Sequence, residues 1–299
     1  MSENICSILS ASLCTYGIDQ PGGVMENVFA PEVGFIDTPV PFTAGPKNID
    51  ACYVGENAEY VILGFRGTAL GDGEQQAIID WVNNFLAKPV TVDGIPGKLH
   101  QGFSNSVERL WEKKFQDEIT ARLKKSDKPL VVTGYSKGGA LTPIGAAFLQ
   151  KRQVVPADRM IVRMFEPPRP GNVRFARYFK KTFPSALAYA YQDDIVPHVP
   201  PVRYVSQLLA RIPFLGDILE KYEDIDDWNY KSVGKLKFVD WDDKIVDGSP
   251  MLAIKRMEHM MGLIFGGDVL KMGRDHMPCG NIYNVLCGRD CPDMATFNI

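Results

Sequence analysis

No stretch of this 299-residue chain stays apolar over the roughly 20 residues a membrane-crossing helix needs, which argues against an integral membrane protein. Basic residues are not in excess either. Lys and Arg number 33 against 36 Asp and Glu, a net charge of −3 with the signs interspersed, so a nucleic-acid partner is not expected. The opening Met1-Ser2-Glu3-Asn4-Ile5-Cys6 carries no positive charge and the segment behind it is only weakly apolar. A cleavable secretory signal is therefore not expected, and the chain reads as cytoplasmic, or as exported without such a signal. The cysteines at 6, 14, 52, 279, 287 and 291 contain no CxxC pair and have no histidine at zinc-finger spacing, so no zinc site is expected. Their even number is compatible with bridges, but their scatter in a chain of this size favours reduced thiols. There is no internal repeat or low-complexity block. Histidine is scarce, with four in all, at 100, 198, 259 and 276.

Length and near-average composition allow one large core, so 1–299 is expected to be a single domain, with 202–232 as a cap or insertion. The apolar residues in 202–222, interrupted by Pro213, fit either an ordinary core helix or such a cap. The acidic run 224–227 reads as a solvated loop. Earlier in the chain, 7–16 reads as a short helix, 51–65 as a hairpin turning at Gly55-Glu56-Asn57, and 77–86 as an amphipathic stretch. In 104–123, Val107, Leu110, Trp111, Phe115 and Ile119 fall on one face of a single long helix. Strands are expected at 130–133, 160–165 and 186–191, separated by helical or loop material. Such alternation implies α/β architecture, a mostly parallel central sheet with helices on both faces.

The most informative segment is Gly134-Tyr135-Ser136-Lys137-Gly138, directly after the apolar run Leu130-Val131-Val132-Thr133. It puts a serine on a sharp turn between a buried strand and a helix of small apolar residues, 139–149. Glycines on either side permit the tight approach of strand and helix. Pro143 falls near the start of that helix, where a missing amide hydrogen costs little.

A serine hydroxyl on such a turn becomes a nucleophile when a base accepts its proton and a carboxylate fixes the tautomer of the base. In sheet-and-helix hydrolases these groups follow one another as Ser, Asp or Glu, then His. That order counts against His100, which precedes the serine. His198 sits four residues from the better acid candidate, Asp194, and His259 lies in a helix-like setting, so His276, in a loop, is the candidate base. Asp193 and Asp194 both follow a strand. Asp194, anchored by Ile195-Val196-Pro197, is the better-held acid. An oxyanion would need two backbone donors: the amide of Lys137 and one from Arg66-Gly67-Thr68, where Thr68 offers both amide and hydroxyl.

At these residues the chain resembles the class 3 lipases, the fungal triacylglycerol-lipase family of α/β-hydrolases. Phe65-Arg66-Gly67-Thr68 is similar to that family's oxyanion strand and Asp80-Trp81 to the segment after its lid. His100-Gln101-Gly102-Phe103 resembles its His-x-Gly-Phe motif, and 133–141 its elbow. Phe165-Glu166-Pro167-Pro168-Arg169-Pro170-Gly171-Asn172 is similar to its Phe-Gly-x-Pro-Arg-x-Gly-Asn stretch, and 194–201 to the segment bearing its acid. The resemblance implies Ser136 as nucleophile, Asp194 as acid and His276 as base, with Thr68 and Lys137 as oxyanion donors and neither metal nor cofactor. It implies hydrolysis of carboxylic esters in lipids, tri- or diacylglycerol, by way of an acyl-enzyme, with a lipid–water interface as the place of action. Departures are visible too. The family elbow has His and Leu where Tyr135 and Lys137 stand, Cys279 replaces the tyrosine three residues past the base, and 69–79 is acidic and glycine-rich where an apolar lid would lie. Two other readings stand beside this one: a phospholipase acting on membrane glycerophospholipids, and an inactive hydrolase fold serving as a binding module.

Overall fold

Strands that are apolar at every residue have to be covered on both faces, which is the signature of parallel pairing under helices. The computed structural model, which describes residues 3–68, 85–201, 206–207, 210–211, 219 and 225–292, shows that arrangement. Its strands are β1 Val40–Ala44, β2 Asp50–Glu56, β3 Val61–Phe65, β4 Pro89–Val90, β5 Leu99–His100 and β6 Leu130–Tyr135, followed by β7 Met160–Phe165, β8 Gly171–Asn172, β9 Leu187–Tyr191, β10 Tyr230–Lys231, β11 Lys235–Val239 and β12 Ile245–Asp247. Eight form the central sheet in the order β1-β2-β3-β6-β7-β9-β11-β12. From β3 through β11 the pairing is parallel, and antiparallel strands close both edges. A small antiparallel sheet, β10-β8-β5-β4, stands apart from it.

The period-2 alternation of β3 and β6 decides which helices cover which face. Leu63, Phe65, Leu130 and Val132 join Val107, Leu110 and Phe148 in one buried cluster. Ile62, Val131 and Tyr135 point the other way and join Leu9, Ile282 and Tyr283. Helix α1 (Ile5–Leu13) lies on the second face, while α2 (Gln101–Glu112), α3 (Phe115–Leu123) and α4 (Lys137–Lys151) cover the first. Helices α5 (Val173–Thr182), α6 (Pro250–Gly266) and α7 (Ile282–Cys287) complete the longer helices of the described residues.

Several expectations are corrected. The segment expected as one helix over 104–123 is two, because Lys114 adopts a left-handed conformation (φ 65°). The break turns Phe115 fully into the core, edge-on to Phe65 at 6.1 Å and to Trp111 at 5.5 Å, so the apolar face continues across it. The hairpin turns a little later than expected: Asn57 accepts from the amides of Glu59 and Tyr60 and closes the loop into β3. The first helix starts at Ile5, capped by the Asn4 side chain. Pro143 lies well inside α4, not in its first turn. The favoured reading of the cysteines is also overturned. Cys6 pairs with Cys287 (Cα–Cα 4.8 Å) and Cys279 with Cys291 (5.2 Å), while Cys14 and Cys52 are buried thiols. The first pair spans 281 residues because α1 and α7 cover the same face.

Most of the amphipathic stretch 77–86 and of 202–224 lies outside the described residues, as do Asp80-Trp81 and the segment 69–79; Phe85 and Leu86, at the end of the first stretch, are buried in the core. Within 225–232, a 3₁₀ turn at Ile225–Trp228 leads into β10, whose Tyr230 is buried and donates its hydroxyl to the Ala87 carbonyl (2.7 Å). That part of the expected cap belongs to the small sheet.

Candidate active site

The end of β6 and the start of α4 meet at Ser136, whose backbone (φ 56°, ψ −127°) lies in a region side-chain-bearing residues seldom occupy. The turn is so tight that a Cβ on Gly138 would overlap the Phe65 carbonyl, and one on Gly134 would overlap the Gly138 backbone. The Ser136 amide donates to the Phe165 carbonyl at 2.9 Å, tying the elbow to the end of β7. We expect Gly138→Ala to lower Tm by about 6 °C or more, read by thermal unfolding, because main chain rather than a mobile side chain has to yield.

Ser136 Oγ lies 2.8 Å from His276 Nε2, and His276 Nδ1 lies 2.7 Å from Asp194 Oδ2. All three residues are buried, none more than 3 % exposed. An ionised Asp194 can only accept, so Nδ1 carries the imidazole hydrogen and Nε2 is free to accept from the serine. Asp194 follows β9, and its other oxygen accepts the Val196 amide at 2.8 Å, which holds the carboxylate in place. His276 follows a single helical turn, Lys271–Arg274, and its carbonyl accepts the Tyr135 hydroxyl at 2.7 Å.

Lys271, Asp275 and Trp241, which sequence reasoning did not single out, hold this loop together with Asp193. Lys271 bridges Asp193 and Asp275, and the Asp193 amide donates to Asp275 at 3.0 Å. Burial works against the Lys271 ammonium, but the two carboxylates outweigh it and raise its pKa. Asp193 also accepts from the Trp241 indole at 3.1 Å, so it fastens the turn beside Asp194 and does not face the imidazole. The i,i+4 spacing of Lys271 and Asp275 was the available signal.

The other histidines are accounted for. His100 caps α2, accepting the Phe103 amide at Nδ1 (3.2 Å) and donating from Nε2 to the Phe85 carbonyl (3.0 Å). Burial pushes its pKa down to about 4, so it stays neutral. His198 is half-buried, 3.0 Å from Arg256; desolvation first, then that guanidinium, push its pKa well below the ordinary value. His259 is partly exposed on α6 and stacks on Trp241 (3.6 Å).

Lys137 directly follows the serine at the start of α4, and Thr68 lines a cavity together with Ser136 and His276. Gly67 brings its main chain so near Tyr16 and the elbow that a Cβ would sit 2.8 Å from the Tyr135 carbonyl oxygen. Thr68, Tyr16, Tyr135, Ser136 and His276 line a small cavity of about 20 Å³, and beside it Thr68 and Lys137 help line a larger one of about 670 Å³. The Lys137 ammonium turns away from the serine to Asp50, 3.0 Å away. Burial alone would raise the pKa of Asp50, but Lys137, Ser106 and Arg109 more than offset it and hold the carboxyl below its ordinary range.

An elbow serine, an imidazole and a carboxylate joined by hydrogen bonds at the carboxyl ends of parallel strands place the chain among the α/β-hydrolases. Residues 62–204 match the family described as lipase (class 3). A lipase from Rhizopus niveus is 34% identical over 146 residues, covering 47% of this chain and 35% of that protein. The secreted mono- and diacylglycerol lipase 1 of Fusarium solani is 32% identical over 133 residues, covering 41% of this chain and 36% of its own. The matches thus span about a third of the length of these curated relatives. Among solved structures, Rhizomucor miehei triacylglyceride lipase superposes with a TM-score of 0.60 at 18% identity, covering 81% of this chain and 80% of the other. Lipase II from Rhizopus niveus gives 0.57 at 19% identity, covering 78% of each chain. At that level of identity the likeness is one of fold.

Proposed function

We propose that this chain is a serine hydrolase of carboxylic esters in lipids, acting through an acyl-enzyme with Ser136 as nucleophile, His276 as base and Asp194 as acid. The observation that carries the reading is the continuous hydrogen-bonded path Ser136–His276–Asp194, 2.8 and 2.7 Å, presented at a strained elbow beside an open cavity. Ser136 Oγ attacks the ester carbonyl carbon while its proton passes to His276 Nε2. The carbonyl oxygen becomes an oxyanion facing the amides of Lys137 and Thr68. Collapse expels the alcohol, which takes the proton from His276. Water, deprotonated by the same nitrogen, then releases the acid and restores the serine.

Glycerides are the first substrate class, by analogy with the relatives named as lipases and as a mono- and diacylglycerol lipase. One observation favours ester hydrolysis in glycerophospholipids as a second reading. Lys47, Arg66, Arg109 and Lys137 line the large cavity with Asp50 as the carboxylate among its lining residues, a balance suited to a phosphate. Among the described residues no helix is long and apolar enough to cross a membrane, so the lipid is expected to be met at an interface.

Labelling with a fluorophosphonate probe followed by peptide mapping tests the chemistry. We expect the adduct on the peptide carrying Ser136. A folded protein that takes up no label there is instead an inactive binding module. Fatty-acid release from tributyrin and from phosphatidylethanolamine vesicles, compared on the same preparation, assigns the substrate class.

A further inference from the structure

The triad acid has a second carboxyl against it. Glu166 follows β7 directly and is completely buried, and one oxygen of its carboxyl lies within 4.8 Å of a carboxylate oxygen of Asp194 and a ring nitrogen of His276. Neither Glu166 oxygen has a partner in good hydrogen-bond geometry among the described residues. Its backbone is left-handed (φ 46°), with the amide donating to the Tyr189 carbonyl at 2.9 Å. Glycine adopts this conformation freely, and the Phe-Gly-x-Pro-Arg stretch that 165–169 resembles has glycine here; a glutamate adopts it only at a cost. The side chain therefore sits in an unfavourable place, out of water, beside a like-charged group.

Every element packed around it contributes a group. The turn after β9 brings Asp194, the loop after Lys271–Arg274 brings His276, α6 brings Arg256, β6 brings Tyr135 and β9 brings the Tyr191 amide and phenol. Burial first, then the charge of Asp194, raise the Glu166 carboxyl well above the usual carboxylate range, against the weaker opposite pull of Arg256 and the Tyr191 amide. Two buried carboxyls this near each other do not both ionise cheaply.

We propose that Glu166 is a positioning residue of the Asp194–His276 pair: as a neutral carboxylic acid it donates its hydroxyl hydrogen to the Asp194 carboxylate, so that the two acids share one proton and present a single negative charge behind the imidazole. The proposal rests on the hydrolase reading of the site. A charge-assisted O–H···O⁻ bond holds the acid that orients the base, and it draws off part of the charge that would otherwise stabilise the imidazolium. The cost of a buried glutamate at this backbone is thereby offset by an ordered triad.

The test compares wild type, Glu166→Gln and Glu166→Leu. The first readout needs no turnover. Folded Glu166 keeps its proton above the pH at which the unfolded chain loses it, about 4.3 for glutamate, so wild type loses stability relative to Glu166→Gln as pH rises. The Tm difference should widen by about 5 °C or more between pH 5 and 8. A flat difference would mean an ionised Glu166 in the native state and would overturn the proposal, whatever the enzyme hydrolyses. The second readout is the pH profile on a p-nitrophenyl ester. Gln, which keeps an N–H donor and the length, should hold kcat within about threefold with the acid limb of kcat/KM in place. Leu, without a donor, should lower kcat by about 30-fold at unchanged KM and move the acid limb up by about one pH unit. A Leu variant with wild-type kcat and an unmoved acid limb also overturns it. If Leu fails to fold, the Tm series on wild type and Gln decides.

Discussion

Ser136→Ala lowers kcat/KM on a p-nitrophenyl ester by about 10⁵-fold or more, while far-UV dichroism and Tm stay close to wild type. The size of the loss follows from what the oxygen does. It forms the covalent bond and supplies the proton that His276 carries, and the residual rate rests on binding and on the oxyanion donors alone. The small structural effect follows from the elbow. Alanine keeps the Cβ and the backbone at φ 56°, and the hydrogen bond from the residue 136 amide to the Phe165 carbonyl remains, so only the 2.8 Å contact to Nε2 disappears. A variant retaining more than about 1% of the activity would show that another group is the nucleophile.

Much of this arrangement is legible along the chain, and the reason is locality. The elbow, the strand before it and the helix behind it are contiguous, so their apolar pattern and paired glycines describe a single turn. Strand β7 is likewise readable because it is one short apolar run flanked by loops. What escapes depends on partners far away in sequence. Lys114 breaks the helix because Phe115 finds Phe65 and Phe42 across the sheet, a contact no periodicity encodes. Strands β11 and β12 are partly exposed and mix charged with apolar residues, so they look like loop until β9 supplies an edge for β11 and β11 one for β12. Asp193 and Asp194 are adjacent and chemically identical. The Ile195-Val196-Pro197 anchor favours Asp194 as the acid, but the role of Asp193, holding Lys271 and Trp241, depends on residues far along the chain. The Cys6–Cys287 bridge is illegible for the same reason, since it depends on which face α1 and α7 share.

That division between neighbouring aspartates gives the second large effect. Asp194→Asn should lower kcat by about 10⁴-fold near neutral pH with little change in KM. The asparagine amide is isosteric with the carboxylate and can still accept the Val196 amide, now 2.8 Å away, so the loop stays in place. What changes is the imidazole. A carboxylate 2.7 Å from Nδ1 fixes the hydrogen there and leaves Nε2 as an acceptor for the serine. An amide that turns its NH₂ toward Nδ1 makes that nitrogen the acceptor and moves the hydrogen to Nε2. A serine facing a donor has nowhere to send its proton. The imidazolium formed during attack also loses its counter-charge. Asp193→Asn is the matched control. It removes the charge paired with Lys271 while the Asp193 backbone amide keeps its bond to Asp275, so it should lower Tm while keeping kcat within about tenfold. If the two variants exchange these behaviours, with Asp193→Asn inactive and Asp194→Asn merely less stable, the acid has been assigned to the wrong residue.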